Sequence, residues 1–192
     1  MHTGNGAYEP RYKPTGREVA KITTPKGVIR VQLAGTDAPI HVGNFVELAS
    51  KGFYDGLKFH RYVPNFVIQG GDPYTREATE QEVREVSMGQ AFTRIGSGGP
   101  GYEIRQEFSV NPNNHHLDGS LAMARGLGYD TAGSQFYFCL GEQPFLDPEY
   151  TVFGQTVEGL DVVHALRAGD AIESIEIEHV DQAQIDAAAP GA

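Results

Sequence analysis

The chain has 192 residues with 15 basic and 25 acidic side chains, which gives a formal net charge of −10. This length fits a single domain, and the 40% apolar and 21% charged fractions exclude wholesale disorder. The acidic balance argues against binding to nucleic acid or to an anionic membrane, because both partners require an excess of Lys and Arg. Apolar stretches are far shorter than the roughly 20 residues that span a bilayer, and the N-terminus lacks the features of a secretory signal. The single cysteine, Cys139, excludes an intrachain disulfide and suits a reducing compartment. We therefore expect a cytoplasmic protein with no nucleic-acid or membrane partner.

The chain begins with a segment rich in Gly and Pro, and residues 1–16 are predicted to form a flexible N-terminal arm. The domain is expected to cover residues 17–181. Its first elements are a strand over Val19–Thr24, a turn, and a strand over Val28–Leu33, in which apolar and polar residues alternate.

A helix is predicted next, with Thr36 or Asp37 as its N-cap, Pro39 in its first turn and Gly52 just past its end. Short β-like runs separated by Gly, Pro, Asn and Asp follow. They are Leu57–Tyr62, Phe66–Gln69, Ser120–Ala124, Gln135–Leu140, Thr151–Val157 and Ile172–Glu178. Many short strands with two helices favour a mainly β protein, an antiparallel barrel or sandwich.

Two further segments have patterns typical of helices. Residues 73–95 contain a charge-rich stretch with a capping box, Thr79-x-x-Glu82, typical of a surface helix. The apolar spacing from Val162 to Leu166 predicts the second, short helix. Residues 182–192 are expected to be a flexible C-terminal tail.

Several candidate sites are excluded on local grounds. The Gly-rich segment 96–101 lacks the strand-then-helix context of a phosphate-binding loop. His115 and His116 are adjacent, so on a strand they would face opposite ways, and no third ligand is suitably spaced. Cys139 lies in a predicted apolar strand, so we expect a buried structural thiol. The sequence therefore predicts no metal site.

Two segments combine polar and aromatic residues in an unusual way. Period-2 geometry puts Val67 and Gln69 on one face of a strand, and Gln135 and Tyr137 on one face of another. An apolar pocket with a few convergent polar groups is typical of a ligand site. The alternative is a barrel core with two satisfied polar residues.

A series of short motifs occurs in order between about Lys21 and Val180. The motifs are Phe59-His60-Arg61, Phe66, Gln69-Gly70-Gly71-Asp72, Gly98-Gly99-Pro100-Gly101-Tyr102, Met123-Ala124, Gly133-Ser134-Gln135-Phe136 and Val152-Phe153-Gly154. Together they resemble the cyclophilin-type peptidyl-prolyl cis-trans isomerases. The resemblance implies a closed eight-stranded antiparallel β-barrel with two capping helices, and cofactor-free isomerisation of X–Pro bonds that assists protein folding.

The resemblance also implies roles for particular residues. Arg61 would donate to the twisted prolyl amide, and Gln69 would bond the peptide carbonyl and help to orient Arg61. The proline slot would consist of Phe66, Val67, Tyr137 and Leu146. Ala124, Arg125 and Gly126 would pair with the substrate backbone, and Gln135, Phe145 and Tyr150 would form the rim.

The chain departs from the common family pattern at some of these positions. Many members carry Trp where Phe145 stands and His where Tyr150 stands, and these choices resemble bacterial members. We therefore expect weak cyclosporin binding, if any. The expected partners are proline-containing peptides and proteins, bound by a monomer. Compared with the shortest members of the family, residues 73–95 form an insertion near the rim of the site, which is either a contributor to substrate choice or a solvated surface segment.

Two functions of other classes remain as alternatives. A module that binds proline peptides, or a chaperone, would retain the slot without turnover. A structural barrel would bind no ligand, which the presence of Arg61 and Gln69 among apolar residues disfavours. An isomerase assay on a short X–Pro peptide separates these alternatives.

Overall fold

Eight antiparallel strands form one curled sheet in the computed structural model, which describes residues 6–189. The strand order across the sheet is β3-β4-β6-β5-β7-β2-β1-β8. The strands are β1 (Val19–Thr24), β2 (Gly27–Leu33), β3 (Arg61–Val63), β4 (Val67–Gly70), β5 (Ser120–Met123), β6 (Phe136–Cys139), β7 (Val152–Glu158) and β8 (Ser174–Glu178). Every run predicted as a strand overlaps one of these strands, although the run Leu57–Tyr62 shares only its last two residues with β3.

The prediction of a closed barrel is wrong, because the sheet is an open half-barrel with β3 and β8 as its edges. An isolated bridge between Lys58 and Ala171 links the segments that precede these strands. At β3, the backbone N–H of Tyr62 donates to Ser87 Oγ at 3.2 Å, so a helix in the insertion takes the place of a neighbouring strand. Covering an edge in this way leaves fewer unpaired backbone groups for another chain to pair with.

The described part of the chain contains four α-helices: the two that were predicted, a surface helix at the capping box, and a C-terminal helix that was not predicted. They are α1 (Pro39–Ser50), α2 (Glu80–Ser87), α3 (Leu160–Ala165) and α4 (Gln182–Ala188). The capping box of Thr79 and Glu82 is present at the start of α2. None of the helices described is long and apolar enough to cross a membrane.

The N-cap of α1 differs from the prediction. The cap is Ala38, which has no side chain to accept a hydrogen bond, rather than Thr36 or Asp37. Instead, the buried carboxylate of Glu107 accepts hydrogen bonds from the first-turn N–H groups of Ile40 and His41 at 3.1 and 2.8 Å. A residue distant in sequence thus takes over a function that is usually local.

The terminal segments pack more closely than predicted. Tyr12 is buried, donates a hydrogen bond to Glu18 and accepts one from the backbone N–H of Asp181. Gln184 of α4 exchanges hydrogen bonds with the backbone of Lys13. An aromatic anchor and these polar contacts therefore hold a segment without regular secondary structure. Residues 1–5 of the predicted arm and 190–192 of the predicted tail lie outside the described residues.

The two faces of the sheet carry two apolar clusters. The main core contains Ile68 of β4 and Phe136 and Phe138 of β6, together with the buried side of α1. The second cluster contains residues of the alternate positions in the same strands, namely Val67, Tyr137 and Cys139. Because successive side chains of a strand point to opposite faces, one sheet supports both a core and a separate apolar site.

Candidate active site

A small cavity of about 220 Å³ opens over the second apolar cluster. It is smaller than the roughly 300–1,000 Å³ of cavities that hold drug-sized ligands, and it suits a single ring-sized group. Nine of the predicted site residues line it: Arg61, Phe66, Val67, Gln69, Ala124, Arg125, Tyr137, Leu146 and Tyr150.

Strand pairing determines the floor of the small cavity. Val67 of β4 lies opposite Cys139 of β6, and Gln69 lies opposite Tyr137. Leu146 comes from a short 3₁₀ helix over Pro144–Leu146. Val67, Tyr137 and Leu146 are all buried, so the floor is apolar and its polar groups lie at the rim.

Arg61 lies at the edge of the small cavity. It begins β3, is exposed, and lies opposite Gln69 in the strand register. Its Cζ atom is 5.7 Å from the centroid of the Phe66 ring, a cation–π distance. Within residues 6–189 its guanidinium forms no hydrogen bond and no salt bridge, so its N–H groups are available to a ligand.

Gln69 contacts a second amide rather than Arg61. Its Nε2 donates to Gln135 Oε1 at 3.0 Å, and Gln135 Nε2 donates to the carbonyl oxygens of Gly96 and Gly98 at 3.0 and 2.9 Å. Among the described side chains, Gln69 and Arg61 form no direct hydrogen bond. Gln69 instead links the cavity rim to the Gly-rich loop.

The Gly-rich loop is attached to the domain by a buried carboxylate. Asp72 accepts hydrogen bonds from the backbone N–H groups of Gly96, Gly98 and Tyr74. A Cβ atom at Gly98 would collide with the Asp72 carboxylate, so this position requires glycine. Both ends of the insertion are therefore tied to Asp72, next to the site.

A larger groove of about 840 Å³ adjoins the small cavity. The two share Gln69, Ala124 and Arg125 as lining residues. Gly126 and Gln135, which were predicted as site residues, line the large groove only. Phe145 lines neither; it is exposed and stacks on Phe66, with ring centroids 5.7 Å apart.

A hydrogen-bonded chain beneath the small cavity was missed by the sequence analysis. Nε2 of the buried His116 lies 2.8 Å from the Tyr137 hydroxyl, and its Nδ1 lies 2.8 Å from Asp147 Oδ1. Burial lowers the pKa of His116 below its usual 6.5, although Asp147 opposes this shift. With a neutral ring, the network assigns the N–H to Nδ1, which donates to the carboxylate, while Nε2 accepts from the tyrosine.

No local signal in the sequence indicated the hydrogen-bonded chain through His116. His116 and Asp147 are separated by 31 positions, and the pair His115-His116 had been considered only as a metal site. The adjacent residue His115 lies mostly exposed, 3.5 Å from the other oxygen of Asp147. Among the residues described, no group of three or more His, Cys, Asp or Glu side chains is arranged to hold a metal ion.

Comparison with known proteins identifies the class to which this fold and site belong. The family model described as "Cyclophilin type peptidyl-prolyl cis-trans isomerase/CLD" matches residues 19–185. A crystal structure of a cyclophilin-type peptidyl-prolyl cis-trans isomerase from Cryptosporidium parvum has a TM-score of 0.67 and 26% identity, covering 84% of this chain and 97% of that chain.

Bacterial relatives are more similar in sequence. A peptidyl-prolyl cis-trans isomerase of Synechococcus elongatus is 46% identical over 160 residues, which are 82% of this chain and 94% of the relative. A peptidyl-prolyl cis-trans isomerase of Helicobacter pylori is 45% identical over 158 residues, 81% of this chain and 84% of the relative. The chain belongs to the cyclophilin-type peptidyl-prolyl cis-trans isomerase family and is an enzyme of that class.

Proposed function

We propose that the protein isomerises X–Pro bonds by holding the prolyl ring in the small cavity while Arg61 donates hydrogen bonds to the twisted amide. The observation that carries this mechanism is the position of Arg61. An exposed guanidinium, which forms no hydrogen bond and no salt bridge within residues 6–189, lies at the mouth of an apolar cavity of suitable size.

Catalysis of X–Pro isomerisation requires only that the enzyme bind the twisted amide more tightly than the planar amide. Amide resonance is lost as the peptide bond twists, which gives a barrier of roughly 18–20 kcal/mol. The prolyl nitrogen then gains a lone pair that can accept a hydrogen bond, and no covalent bond breaks. A group that binds the twisted amide more tightly than the planar one lowers the barrier. An acceleration of about 10⁵ requires roughly 7 kcal/mol of such preferential binding.

The surrounding residues support this role for Arg61. Val67, Tyr137 and Leu146 provide an apolar floor that would restrain the ring by contact rather than by hydrogen bonds. Gln69 lies opposite Arg61 in the strand register, and its Nε2 uses one N–H on Gln135, so the second N–H would bond a substrate carbonyl. The Cryptosporidium relative was also crystallised in the presence of the dipeptide Ala-Pro, whose prolyl ring is a group of the size that the small cavity suits.

The proposal extends to the biological role. Uncatalysed X–Pro exchange takes tens to hundreds of seconds and is slow enough to limit folding, so an isomerase of this kind assists protein folding. We propose proline-containing peptides and proteins as its partners, with the enzyme acting as a cytoplasmic monomer and without a cofactor.

The mechanism is tested by Arg61→Ala in an NMR exchange assay on a short X–Pro peptide. We expect kcat/KM to fall by at least about a hundredfold, or roughly 2.7 kcal/mol of transition-state stabilisation. Arg94→Ala is the matched control, because Arg94 also stacks on an aromatic ring, that of Tyr74, but lines neither the small cavity nor the large groove. It should retain full turnover.

Two outcomes would contradict the proposal. Near-normal turnover by folded Arg61→Ala would exclude Arg61 as the main donor. A wild-type protein that binds proline peptides without accelerating their exchange would be a binding module, not an isomerase.

A further inference from the structure

Arg125 occupies a fixed position between two aromatic rings. Its Cζ atom is 4.4 Å from the centroid of the Tyr150 ring and 4.8 Å from that of the Tyr129 ring. Nε and Nη2 both donate to the carbonyl oxygen of Glu149, at 3.0 and 2.9 Å, and Nη1 donates to that of Gly126 at 3.0 Å. The guanidinium is thus pre-organised, so little side-chain entropy is lost when it binds a further group.

The positive charge of Arg125 is not neutralised by a nearby carboxylate. Its hydrogen bonds go to backbone carbonyls, and it forms no salt bridge with any residue in the range 6–189. An arginine has five N–H groups, and the hydrogen bonds to Glu149 and Gly126 use three, so two remain for a ligand. A carboxylate is the acceptor that matches a guanidinium best.

The charge around the small cavity is opposite to that of the whole chain. The chain carries a net charge of −10, yet the charged residues that line the small cavity are Arg61 and Arg125. Glu103, the acidic residue that lines the large groove, is not a lining residue of the small cavity. A concave site with one sign of charge raises the local concentration of oppositely charged ligands.

The position of Arg125 indicates which part of a substrate it meets. Arg125 lines both the small cavity and the large groove, together with Gln69 and Ala124, so it lies on the boundary between them. If the prolyl ring fills the small cavity and the preceding chain lies in the large groove, the residue directly before proline crosses this boundary. The side chain of that residue therefore comes next to Arg125.

We propose that Arg125 is a specificity-determining residue that favours substrates with Asp or Glu directly before proline. The inference rests on the proposed function, because it uses the small cavity as the proline site. It extends that function to a substrate class: acidic-residue–proline bonds in peptides and proteins.

The test compares three peptides that differ only in the residue before proline, which is Glu, Ala or Lys. Exchange is measured by NMR, and the uncatalysed rate of each peptide is subtracted because it depends on that residue. We expect kcat/KM for the Glu peptide to exceed that for the Lys peptide by at least about fivefold, which is about 1 kcal/mol, the upper end for an exposed ion pair. The ratio should shrink in 0.5 M NaCl, roughly the range of strong ionic screening.

Arg125→Gln should bring the Glu/Lys ratio close to one. Arg94→Gln removes the same charge from an arginine that also stacks on a tyrosine, and should leave the ratio at its wild-type value. Circular dichroism checks folding, and Arg125→Asn is a second uncharged variant if the first does not fold. The ratio is informative even if Arg125→Gln slows turnover of every peptide.

The result separates failure of this inference from failure of the proposed function. Equal turnover of the Glu and Lys peptides by the wild type, or an unchanged ratio in folded Arg125→Gln, would overturn the role of Arg125 while leaving the isomerase intact. Absence of catalysed exchange for all three peptides would overturn both.

Discussion

Replacing His116 with alanine should destabilise the protein, because this buried ring joins the floor of the small cavity to the partly exposed carboxylate of Asp147. The substitution removes the hydrogen bonds to the Tyr137 hydroxyl and to Asp147, each 2.8 Å long. A hydrogen bond to a charged group contributes about 1.5–3 kcal/mol and a neutral one about 0.5–1.5 kcal/mol. We therefore expect the free energy of unfolding to fall by about 3 kcal/mol.

A double-mutant cycle with Tyr137→Phe isolates the bond between His116 and Tyr137. Tyr137→Phe retains the ring in the small cavity and should cost about 1 kcal/mol alone. In the His116→Ala background it should cost almost nothing, because the hydroxyl has already lost its partner. The two changes should therefore be coupled by about 1 kcal/mol. Urea unfolding followed by circular dichroism measures these values, since the chain has no Trp to serve as a fluorescent probe.

The pH dependence of stability provides a second readout of the same ring. Burial lowers the pKa of His116 in the folded protein, so the unfolded chain binds a proton on this residue at higher pH than the folded chain does. The free energy of unfolding should accordingly fall as the pH drops below about 6.5. Between pH 7.5 and 5, the free energy of unfolding should fall less in His116→Ala than in the wild type. Some fall should remain in both proteins, because burial also lowers the pKa of His60.

These measurements can refute the hydrogen-bonded chain. A loss of less than about 1 kcal/mol in His116→Ala would mean that the bonds contribute little net stability. Additive effects of the two substitutions would show that His116 and Tyr137 do not interact. Identical pH profiles for wild type and His116→Ala would show that His116 does not titrate differently in the folded chain.

Two other residues give separate predictions. Glu107→Ala should lower the free energy of unfolding by about 3 kcal/mol, because its carboxylate takes the place of a side-chain cap for Ile40 and His41; a loss below about 1 kcal/mol in urea unfolding would contradict this. Phe145→Trp should improve inhibition by cyclosporin by about tenfold, since an indole adds apolar area and an N–H donor at an exposed rim position. Proline turnover should change much less, and equal inhibition constants for the two proteins would show that Phe145 does not limit binding.

Local sequence patterns determined the secondary structure well. Alternation of apolar and polar residues indicated strands such as Val19–Thr24, whose bounds agree with the structure. The capping box at Thr79 indicated α2, because both of its hydrogen bonds lie within one turn. The same alternation put Val67 and Tyr137 on faces that meet at one site. In each case the information lies within a few residues, at the period of a strand or helix.

The tertiary structure alone decided features that depend on distant segments. The N-cap of α1 is completed by Glu107, 67 positions from Ile40, and the contact of Gln69 with Gln135 spans 66 positions. At the open edge of the sheet, Ser87 accepts a hydrogen bond from the backbone N–H of Tyr62 in β3, 25 positions away. A residue's local pattern specifies which face it presents, but its partner is specified by how strands and loops pack around a common core. For that reason the strands could be predicted from the sequence, whereas the open edge of the sheet and the hydrogen-bonded chain through His116 could not.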